Sequence, residues 1–380
     1  MSVLKVQAET AAQAPGGDPL QEELLRLRGE IDELDRRILE LISRRGELAL
    51  ATVRCKAARG EGGYDLMRER SLLERLAQRN RGPLSDEALL GIFREVVSAC
   101  RALQEPLKVA FLGPEGTFSH QVARDIWGSG CRFLPQGSID DVFDQVERGN
   151  SSLGVVPVEN SSEGGVNATL DRFLTTDLSV CGETYARIRH CLISACRELG
   201  QVERVYSHPQ ALNQCRGWLR RNLPRALPVE VSSTAAAVRQ AAGHPKSAAI
   251  GPRRAAELNG LEVLAADIQD YAHNTTRFLI LSRMACPPTG RDKTSLLFTL
   301  PHRPGTLFEA LGHLSRAGLN LTHIQSRPVK HRPWEYVFFV DLEGHREDPQ
   351  VAPALSDLAQ CVERLQILGS YPRGNLAPQG

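Results

Sequence analysis

Residues 25–45, LRLRGEIDELDRRILELISRR, carry apolar side chains at steps of three and four. With the residue before the segment, the series comprises Leu24, Leu27, Ile31, Leu34, Ile38 and Leu41. This spacing predicts one amphipathic helix from Leu20 to the glycines at 60–63. At ~1.5 Å per residue the helix would be roughly 55–60 Å long, longer than a small domain is wide. We therefore expect it to lie against another copy of the chain.

Two cations lie on one face of this predicted helix. Arg45 occupies the next apolar position, and Lys56 returns to within roughly 20° of it on the helix surface. A buried guanidinium costs several kcal/mol unless an anion meets it, so the pair could hold a small dianion. The alternative explanation is a snorkelling or internally paired arginine. Arg28 is roughly 25 Å away along the axis and could reach such a site only from a partner subunit.

Two shorter helices complete an all-α N-terminal region. One is predicted at about 65–79, and Ser85 is a plausible N-cap for the next, which would run through Gln104. On these helices, side chains three or four residues apart share a face. The sets that do so are Asp65, Arg68 and Glu69, and Cys100 and Gln104. Residues 1–19, with Pro15, Gly16, Gly17 and Pro19, are predicted to be a flexible tail.

From 107 to 285 the pattern becomes α/β. Short apolar runs such as 109–112 and 278–281 alternate with helical stretches, which predicts two lobes built on mostly parallel sheets. Polar residues follow or precede the strands at five junctions, namely 113–120, 155–162, 205–211, 232–235 and 274–278. Open α/β sheets bind their ligands at such strand ends. We expect the five junctions to converge on one cleft.

The last region, 293–372, has the order βαββαβ after a linker near Cys286. Strands are predicted at 295–300, 320–326, 336–340 and 365–368, with helices at 305–316 and 349–361. This is the ferredoxin-like order, which is common among small ligand-sensing modules.

Composition excludes several classes of protein. The 380 residues carry 46 basic and 45 acidic side chains, with no basic stripe, so nucleic acid is a poor candidate partner. Nine cysteines without a C-x-x-C motif disfavour a disulfide framework and a zinc site. The N-terminus lacks the pattern of a signal peptide, and no run of eighteen apolar residues occurs. We expect a soluble, cytoplasmic protein that needs no metal, cofactor or membrane.

The N-terminal region resembles the all-helical chorismate mutase domain of bifunctional chorismate mutase/prephenate dehydratases. The resemblance rests on residues 25–45, Lys56 and DLMRER at 65–70, and it implies an intertwined dimer. It also implies that Arg45 and the partner's Arg28 bind substrate carboxylates, and that Lys56 and Gln104 donate to the ether oxygen. Asp65 and Glu69 would contact the substrate hydroxyl. Arg68 matches the pattern too, and Cys100 stands where relatives can carry a serine.

The chemistry agrees with these residue types. Chorismate rearranges in one pericyclic step without a nucleophile, so an enzyme helps by holding the reactive conformer and stabilising charge on the breaking ether oxygen. Fixed cations and hydrogen-bond donors supply both. Loss of Lys56 should therefore lower the rate of the chemical step more than it weakens binding.

The middle region resembles prephenate dehydratase. The matching motifs are GPEGTFSH at 113–120, VVPVENS at 155–161, YSHPQA at 206–211, SSTAAA at 232–237 and TRF at 276–278. The implied fold has two α/β lobes around a cleft, like type II periplasmic binding proteins. The resemblance makes Thr276 the catalytic candidate and Arg277 the ligand of a substrate carboxylate. The further substrate contacts it implies are Thr117, Glu159, Asn160, Ser207, Gln210 and Ser233.

The C-terminal region resembles an ACT regulatory domain. Its phenylalanine-binding segments would be PGTL at 304–307 and QSRP at 325–328, with His323 as the basic residue before the second motif. The implied regulatory residues are Gly305, Thr306, Leu307, Asn320, Gln325, Ser326, Arg327 and Pro328. Gln325 replaces a usual glutamate, and losing such a charge-assisted bond weakens binding by roughly tenfold to a hundredfold. We expect weakened or retuned feedback by L-phenylalanine, although the region could serve only for dimerisation.

Together these observations predict a homodimeric or larger enzyme that converts chorismate through prephenate to phenylpyruvate. The sequence leaves two alternative functions open. One is a non-catalytic sensor of aromatic ligands, which would not need the cations of the N-terminal helices. The other is a dehydratase for arogenate rather than prephenate.

Overall fold

The computed structural model describes residues 19–59, 66–104, 106–271, 273–328 and 336–374. The chain divides into two compact units, 1–63 and 64–380. In the first unit, helix α1 (Pro19–Ala58) is continuous over 40 residues, which confirms the long helix. The predicted tail, except for Pro19, and the glycines at 60–63 lie outside the described residues.

The apolar face of α1 is exposed in the single chain. Leu27 is 43% exposed, Leu34 54% and Ile38 52%. Elsewhere on the helix, Arg36 forms ion pairs with Glu33 and Glu40. The apolar face of α1, which the spacing predicted to be buried, is therefore exposed to solvent in one copy of the protein.

The second unit begins with helices α2 (Leu66–Arg79) and α3 (Asp86–Ala102). The hydroxyl of Ser85 accepts a hydrogen bond from the Ala88 N–H at 3.2 Å, so the predicted N-cap is confirmed. Asn80 closes the connection between the helices, because its Nδ2 donates to Asp86 Oδ1 at 2.7 Å.

The α/β region follows in chain order. Its elements are β1 (Lys108–Leu112), α4 (Phe118–Trp127), β2 (Arg132–Gln136), α5 (Ile139–Glu147), β3 (Leu153–Asn160), β4 (Gly164–Gly165), α6 (Asn167–Phe173), β5 (Ser179–Arg187), β6 (Cys191–Ser194), a 3₁₀ turn (Leu199–Gln201), β7 (Arg204–Ser207), α7 (Pro209–Gln214), α8 (Arg216–Asn222), β8 (Leu227–Glu230), α9 (Thr234–Ala242), β9 (Ser247–Gly251), α10 (Arg253–Asn259), β10 (Glu262–Ala265) and β11 (Thr275–Ser282).

These strands form two sheets, as predicted, but the sheets are mixed rather than mostly parallel. The first lobe has the order β2-β1-β3-β11-β5, with β4 paired to β3, and the second lobe has the order β10-β6-β9-β7-β8. Strand β11 returns from the second lobe and enters the first sheet antiparallel to both β3 and β5. Local apolar patterns do not encode this long-range pairing, which is why the prediction was wrong on this point.

The C-terminal region has the predicted βαββαβ order. It consists of β12 (Asp292–Thr299), α11 (Thr306–Arg316), β13 (Leu321–Pro328), β14 (Tyr336–Glu343), α12 (Val351–Cys361) and β15 (Arg364–Pro372). The four strands form an antiparallel sheet with the order β13-β14-β12-β15.

Both faces of this C-terminal sheet are covered. One face packs on α11 and α12, with Leu296 and Phe298 in that core. Leu297, Phe339 and Tyr371 of the other face share a buried core with Val180 and Leu279 of the first lobe. The C-terminal sheet is therefore packed directly on the lobe that contains β11. Among the described residues, no helix has the length and apolarity required to cross a membrane.

Candidate active sites

The hinge between the two lobes is where the chain crosses from one lobe to the other. Strand β5 leaves the first lobe at Arg187, and β11 re-enters it at Thr275. The two crossings are adjacent, because the Ile188 N–H donates to the Asn274 carbonyl at 2.8 Å. Asn274 is 3% exposed and His190 2%. Buried polar side chains therefore gather at the hinge between the lobes.

A chain of hydrogen bonds runs through this hinge. Asn160 Nδ2 donates both to Thr276 Oγ1 and to Asn274 Oδ1, each at 2.8 Å. Asn274 Nδ2 in turn donates to Gln214 Oε1 at 2.9 Å. The Ser162 N–H donates a hydrogen bond to Asn160 Oδ1 at 2.9 Å, and this bond fixes the orientation of the Asn160 amide. Because Thr276 Oγ1 accepts a bond from Asn160, its own hydrogen can be donated to a ligand oxygen.

His190 ends the chain as a neutral imidazole. Its Nε2 lies 2.8 Å from Gln214 Oε1, which can only accept, so Nε2 carries the proton. Burial lowers the pKa of His190, against a smaller opposing effect of the bond to Gln214. The imidazole lies edge-on to the ring of Phe118, with 5.3 Å between the two ring centroids. The site therefore contains a buried, uncharged histidine rather than a cation.

Glu163 connects the two lobes across the cleft. It follows β3 in the first lobe, and Gln210 and Gln214 lie on α7 in the second. Gln214 Nε2 donates to Glu163 Oε1 at 3.0 Å, and Gln210 donates to Glu163 Oε2. Of these residues the sequence singled out only Gln210. Glu163, Gln214 and His190 were missed because no local motif marks residues that meet only through the fold.

Three predicted contact residues are bonded to backbone groups. Thr117 caps α4 by accepting from the His120 N–H at 3.3 Å, and Ser233 caps α9. Ser207 is fully buried and donates to the Ile250 carbonyl at 2.8 Å. In the structure these hydroxyls hold strand and helix ends in place, and their contact with a ligand stays a prediction.

Glu159 and Arg277 lie on the opposite side of the strands from Thr276. In the ladder between β3 and β11, Thr276 pairs with Asn160 and Arg277 with Glu159. Successive side chains of a strand point to opposite faces, so the second pair faces the C-terminal sheet. Glu159 Oε2 lies 3.6 Å from His323 Nδ1, and Arg277 binds Glu183 and Asp341. The structure places Arg277 and Thr276 on opposite faces of the sheet, and the contact of Arg277 with a substrate carboxylate stays a prediction.

The candidate residues of the helical region are divided between the two units. On α1, Arg28 is exposed and Arg45 half-buried. In the second unit, Arg68 and Gln104 are exposed, whereas Cys100 is buried. The side chain of Lys56 and all of Asp65 lie outside the described residues.

Glu69 is held by a residue that the sequence did not single out. Arg101 Nη1 lies 2.8 and 2.7 Å from the two carboxylate oxygens of Glu69. Arg101 is 8% exposed, and its Nη2 also donates to the Trp127 carbonyl at 2.6 Å. Arg101 therefore ties α2 and α3 to the C-terminal end of α4.

The predicted regulatory residues fall into two groups. Around the start of α11, Gly305 has a φ of 89°, Thr306 Oγ1 donates to the Arg303 carbonyl at 3.2 Å, and Leu307 packs into the helix-facing core. Asn320, Ser326 and Pro328 are exposed.

The other two regulatory candidates, Gln325 and Arg327, face the first lobe. The amide of Gln325 occupies the space beside Gly165 where any side chain at that position would have to go. Arg327 Nη1 lies 2.7 Å from Asp171 Oδ1 and donates to the Asn167 carbonyl at 2.9 Å. The second motif thus contacts the α/β region directly.

The described residues form a helical region, a two-lobed α/β region and a ferredoxin-like region, as expected of a multidomain protein with distinct folds. Family models match all three: chorismate mutase type II over residues 27–105, prephenate dehydratase over 109–286 and the ACT domain over 294–360. A bifunctional chorismate mutase/prephenate dehydratase of Aquifex aeolicus is 44% identical over 359 residues, covering 93% of this chain and 99% of the relative. The chain belongs to the family of bifunctional chorismate mutase/prephenate dehydratases.

Two solved structures each resemble about 70% of this chain. A prephenate dehydratase from Arthrobacter aurescens in complex with L-Phe is 37% identical, with a TM-score of 0.65 and coverage of 70% of this chain and 90% of that chain. A structure described as GqqA, a novel type of quorum quenching acylase, is 35% identical with a TM-score of 0.63 and covers 70% of this chain and 97% of that chain.

Proposed function

We propose that this protein rearranges chorismate to prephenate and then dehydrates and decarboxylates prephenate to phenylpyruvate, in phenylalanine biosynthesis. The hydrogen bond between Asn160 and Thr276 at the hinge of the α/β domain is the observation that carries the second activity. The match of all three domains to one bifunctional family supports this enzyme over a non-catalytic sensor and over an arogenate dehydratase.

The dehydratase reaction needs little from the protein. Prephenate takes up one proton, ultimately from water, and loses its ring hydroxyl as water and its ring carboxylate as carbon dioxide, and the electrons of the broken carbon–carbon bond complete the aromatic ring. Thr276 donates a hydrogen bond to the departing hydroxyl, and Asn160 orients Thr276 by donating to its oxygen. Aromatisation drives the reaction, so no metal or cofactor is invoked. Glu163, which bridges both lobes, would close a two-lobed cleft of the periplasmic-binding-protein type around the substrate.

The mutase site is proposed at the interface of an intertwined dimer. Arg45 with the partner's Arg28 would bind the carboxylates of chorismate, and Lys56 and Gln104 would donate to its ether oxygen. Asp65 and Glu69 would contact the hydroxyl, with Arg68 and Cys100 beside them. The exposed apolar face of α1 supports a dimer, because a second copy would remove that face from water. The same argument would apply to a higher oligomer in which another copy covers this face.

L-Phenylalanine is proposed as a feedback inhibitor that binds the ACT domain. The Arthrobacter relative was solved with L-Phe, and Gln325 and Arg327 contact the first lobe, so a ligand beside β13 could bias that contact. Titrating dehydratase activity with L-phenylalanine tests this proposal. We expect activity to fall with millimolar ligand. A flat response would leave only a dimerisation surface.

Two single variants test whether the activities have separate sites. Lys56→Ala should lose chorismate mutase activity yet convert added prephenate normally. Thr276→Ala should make prephenate from chorismate and accumulate it, and Thr276→Ser, which keeps the hydroxyl, should recover much of the dehydratase activity. Loss of both activities in either alanine variant would contradict the proposal.

We expect the enzyme in the cytoplasm, where its nine free cysteines would stay reduced.

A further inference from the structure

A buried cluster of charges joins strand β11 to the ACT domain. Arg277 donates from Nε to Glu183 Oε2 at 2.8 Å, from Nη1 to Asp341 Oδ2 at 2.5 Å and from Nη2 to the Tyr371 hydroxyl at 3.0 Å. Glu183 belongs to β5 of the first lobe, whereas Asp341 and Tyr371 belong to β14 and β15 of the ACT domain. The guanidinium is therefore held by both domains at once.

The charges of this cluster balance. Lys293 Nζ lies 2.9 Å from Glu183 Oε1, and Ser295 donates to Asp341 Oδ1. The four charged side chains, of Arg277, Lys293, Glu183 and Asp341, are each at most 7% exposed. Burial alone would lower the pKa of Arg277, but the surrounding acidic groups raise it above its usual value, so the guanidinium stays charged. Removing one partner would leave a buried charge uncompensated, which is strongly destabilising.

The cluster lies directly behind the proposed dehydratase site. Arg277 is next to Thr276 on β11, and their side chains point to opposite faces of the sheet. The bonds that fix the guanidinium therefore fix the backbone that presents the Thr276 hydroxyl to the cleft. Such placement matters, because a shift of about 1 Å can cost on the order of a hundredfold in rate.

We propose that Arg277 is a positioning residue for Thr276, with Asp341 of the ACT domain as its anchor, and that it does not bind a substrate carboxylate. This inference rests on the proposed dehydratase function of the cleft. If Arg277 has this role, the face of the ACT sheet that packs on the first lobe is a structural part of the dehydratase site, whether or not a regulatory ligand is bound.

The test compares Asp341→Asn with Glu343→Gln in the full-length protein. Both remove one carboxylate charge from β14, but Glu343 forms a partly exposed pair with Arg373 at 2.8 Å, outside the buried cluster. Asp341→Asn should lower kcat for prephenate by about tenfold or more and change KM by less than about threefold, because orientation is lost and ground-state binding is not. Glu343→Gln should match the wild type. The chorismate mutase activity of each variant reports whether the chain is intact.

A double variant separates positioning from stability. Asp341→Asn combined with Arg277→Gln restores the balance of buried charge, so its Tm should return toward that of the wild type while kcat stays low. If Asp341→Asn alone does not fold, the kcat of the double variant still tests whether Arg277 positions Thr276. Recovery of kcat together with Tm would overturn the inference.

Two other results would overturn it as well. One is an Asp341→Asn variant that retains the wild-type kcat, and the other is an Arg277→Lys variant that raises KM and leaves kcat unchanged, as a lost carboxylate ligand would. If the wild-type protein does not turn over prephenate, the proposed function is wrong, and the inference about Arg277 that rests on it is wrong as well. Wild-type turnover with an unaffected Asp341→Asn variant contradicts the inference alone.

Discussion

The hydroxyl of Thr276 is oriented by neutral amides rather than acidified by an adjacent charge. Asn160 donates to it, and Asn274 and Gln214 continue the chain of hydrogen bonds to His190. A chain of this kind fixes one direction for each group in it. The donor that faces the substrate is therefore set by residues contributed by both lobes and by the hinge.

Exchanging the Asn160 amide for a carboxylate should reverse the local bond. In Asn160→Asp the Thr276 hydroxyl would donate to the new carboxylate and no longer to the substrate, so we expect kcat for prephenate to fall by roughly a hundredfold. Steady-state kinetics with prephenate measure this change. The matched control is Asn222→Asp on the exposed end of α8, which should keep the wild-type rate. Equal rates in the two variants would contradict the assigned hydrogen-bond direction.

Buried histidines should make the fold less stable in mild acid. Burial lowers the pKa values of His120 and His190, so each takes up a proton less readily in the folded than in the unfolded state. As the pH falls through the usual histidine pKa of about 6.5, the unfolded state binds more protons and the free energy of unfolding decreases. Denaturant unfolding between pH 7.5 and roughly pH 5 measures this slope.

One substitution should reduce that pH dependence. His120 accepts a hydrogen bond from the Gly116 N–H at 3.0 Å and stacks on Phe111, and His120→Gln removes its titration from the interior. The variant should be less stable at neutral pH and lose less stability on acidification. His302→Gln, at an exposed position, should leave the slope unchanged. An unaltered slope in His120→Gln would show that His120 is not responsible.

Among the elements, α1 and β11 show what a sequence can and cannot predict. The three-four spacing and the glycines at its end were enough to place α1, because both signals are local. The TRF motif was placed before a strand, but β11 begins at Thr275, so Thr276 and Arg277 alternate across the sheet. Which face each residue occupies depends on pairing with β3 and β5, more than 80 residues earlier in the chain, and no local pattern records it.

The apolar face of α1 should decide both assembly and mutase activity. Leu34→Lys would place a charge in the proposed dimer interface, so we expect a monomer by light scattering and loss of most mutase activity, because the partner's Arg28 would be absent. Conversion of added prephenate should continue, since that reaction is proposed to take place at the hinge of the α/β domain. Arg36→Gln breaks two exposed ion pairs, which contribute little to stability, and should leave assembly intact. A fully active monomeric Leu34→Lys variant would contradict the shared site.

At the scale of the molecule, neighbouring regions within residues 64–380 are joined by buried polar contacts. Arg101 ties α2 and α3 to α4, and the charge cluster around Arg277 ties the first lobe to the ACT sheet. The order of the domains and most of their elements could be predicted because each has its own local pattern. The contacts between domains could not, since they depend on residues such as Glu183 and Asp341 that carry no motif of their own.

The protein is proposed to catalyse two successive reactions at separate sites on one chain. The most direct test gives the purified wild-type protein chorismate alone and follows chorismate, prephenate and phenylpyruvate over time. We predict that chorismate disappears and that all of it is recovered as phenylpyruvate, with prephenate present only in between. Chorismate that persists unchanged, or prephenate that accumulates without further conversion, would contradict the account.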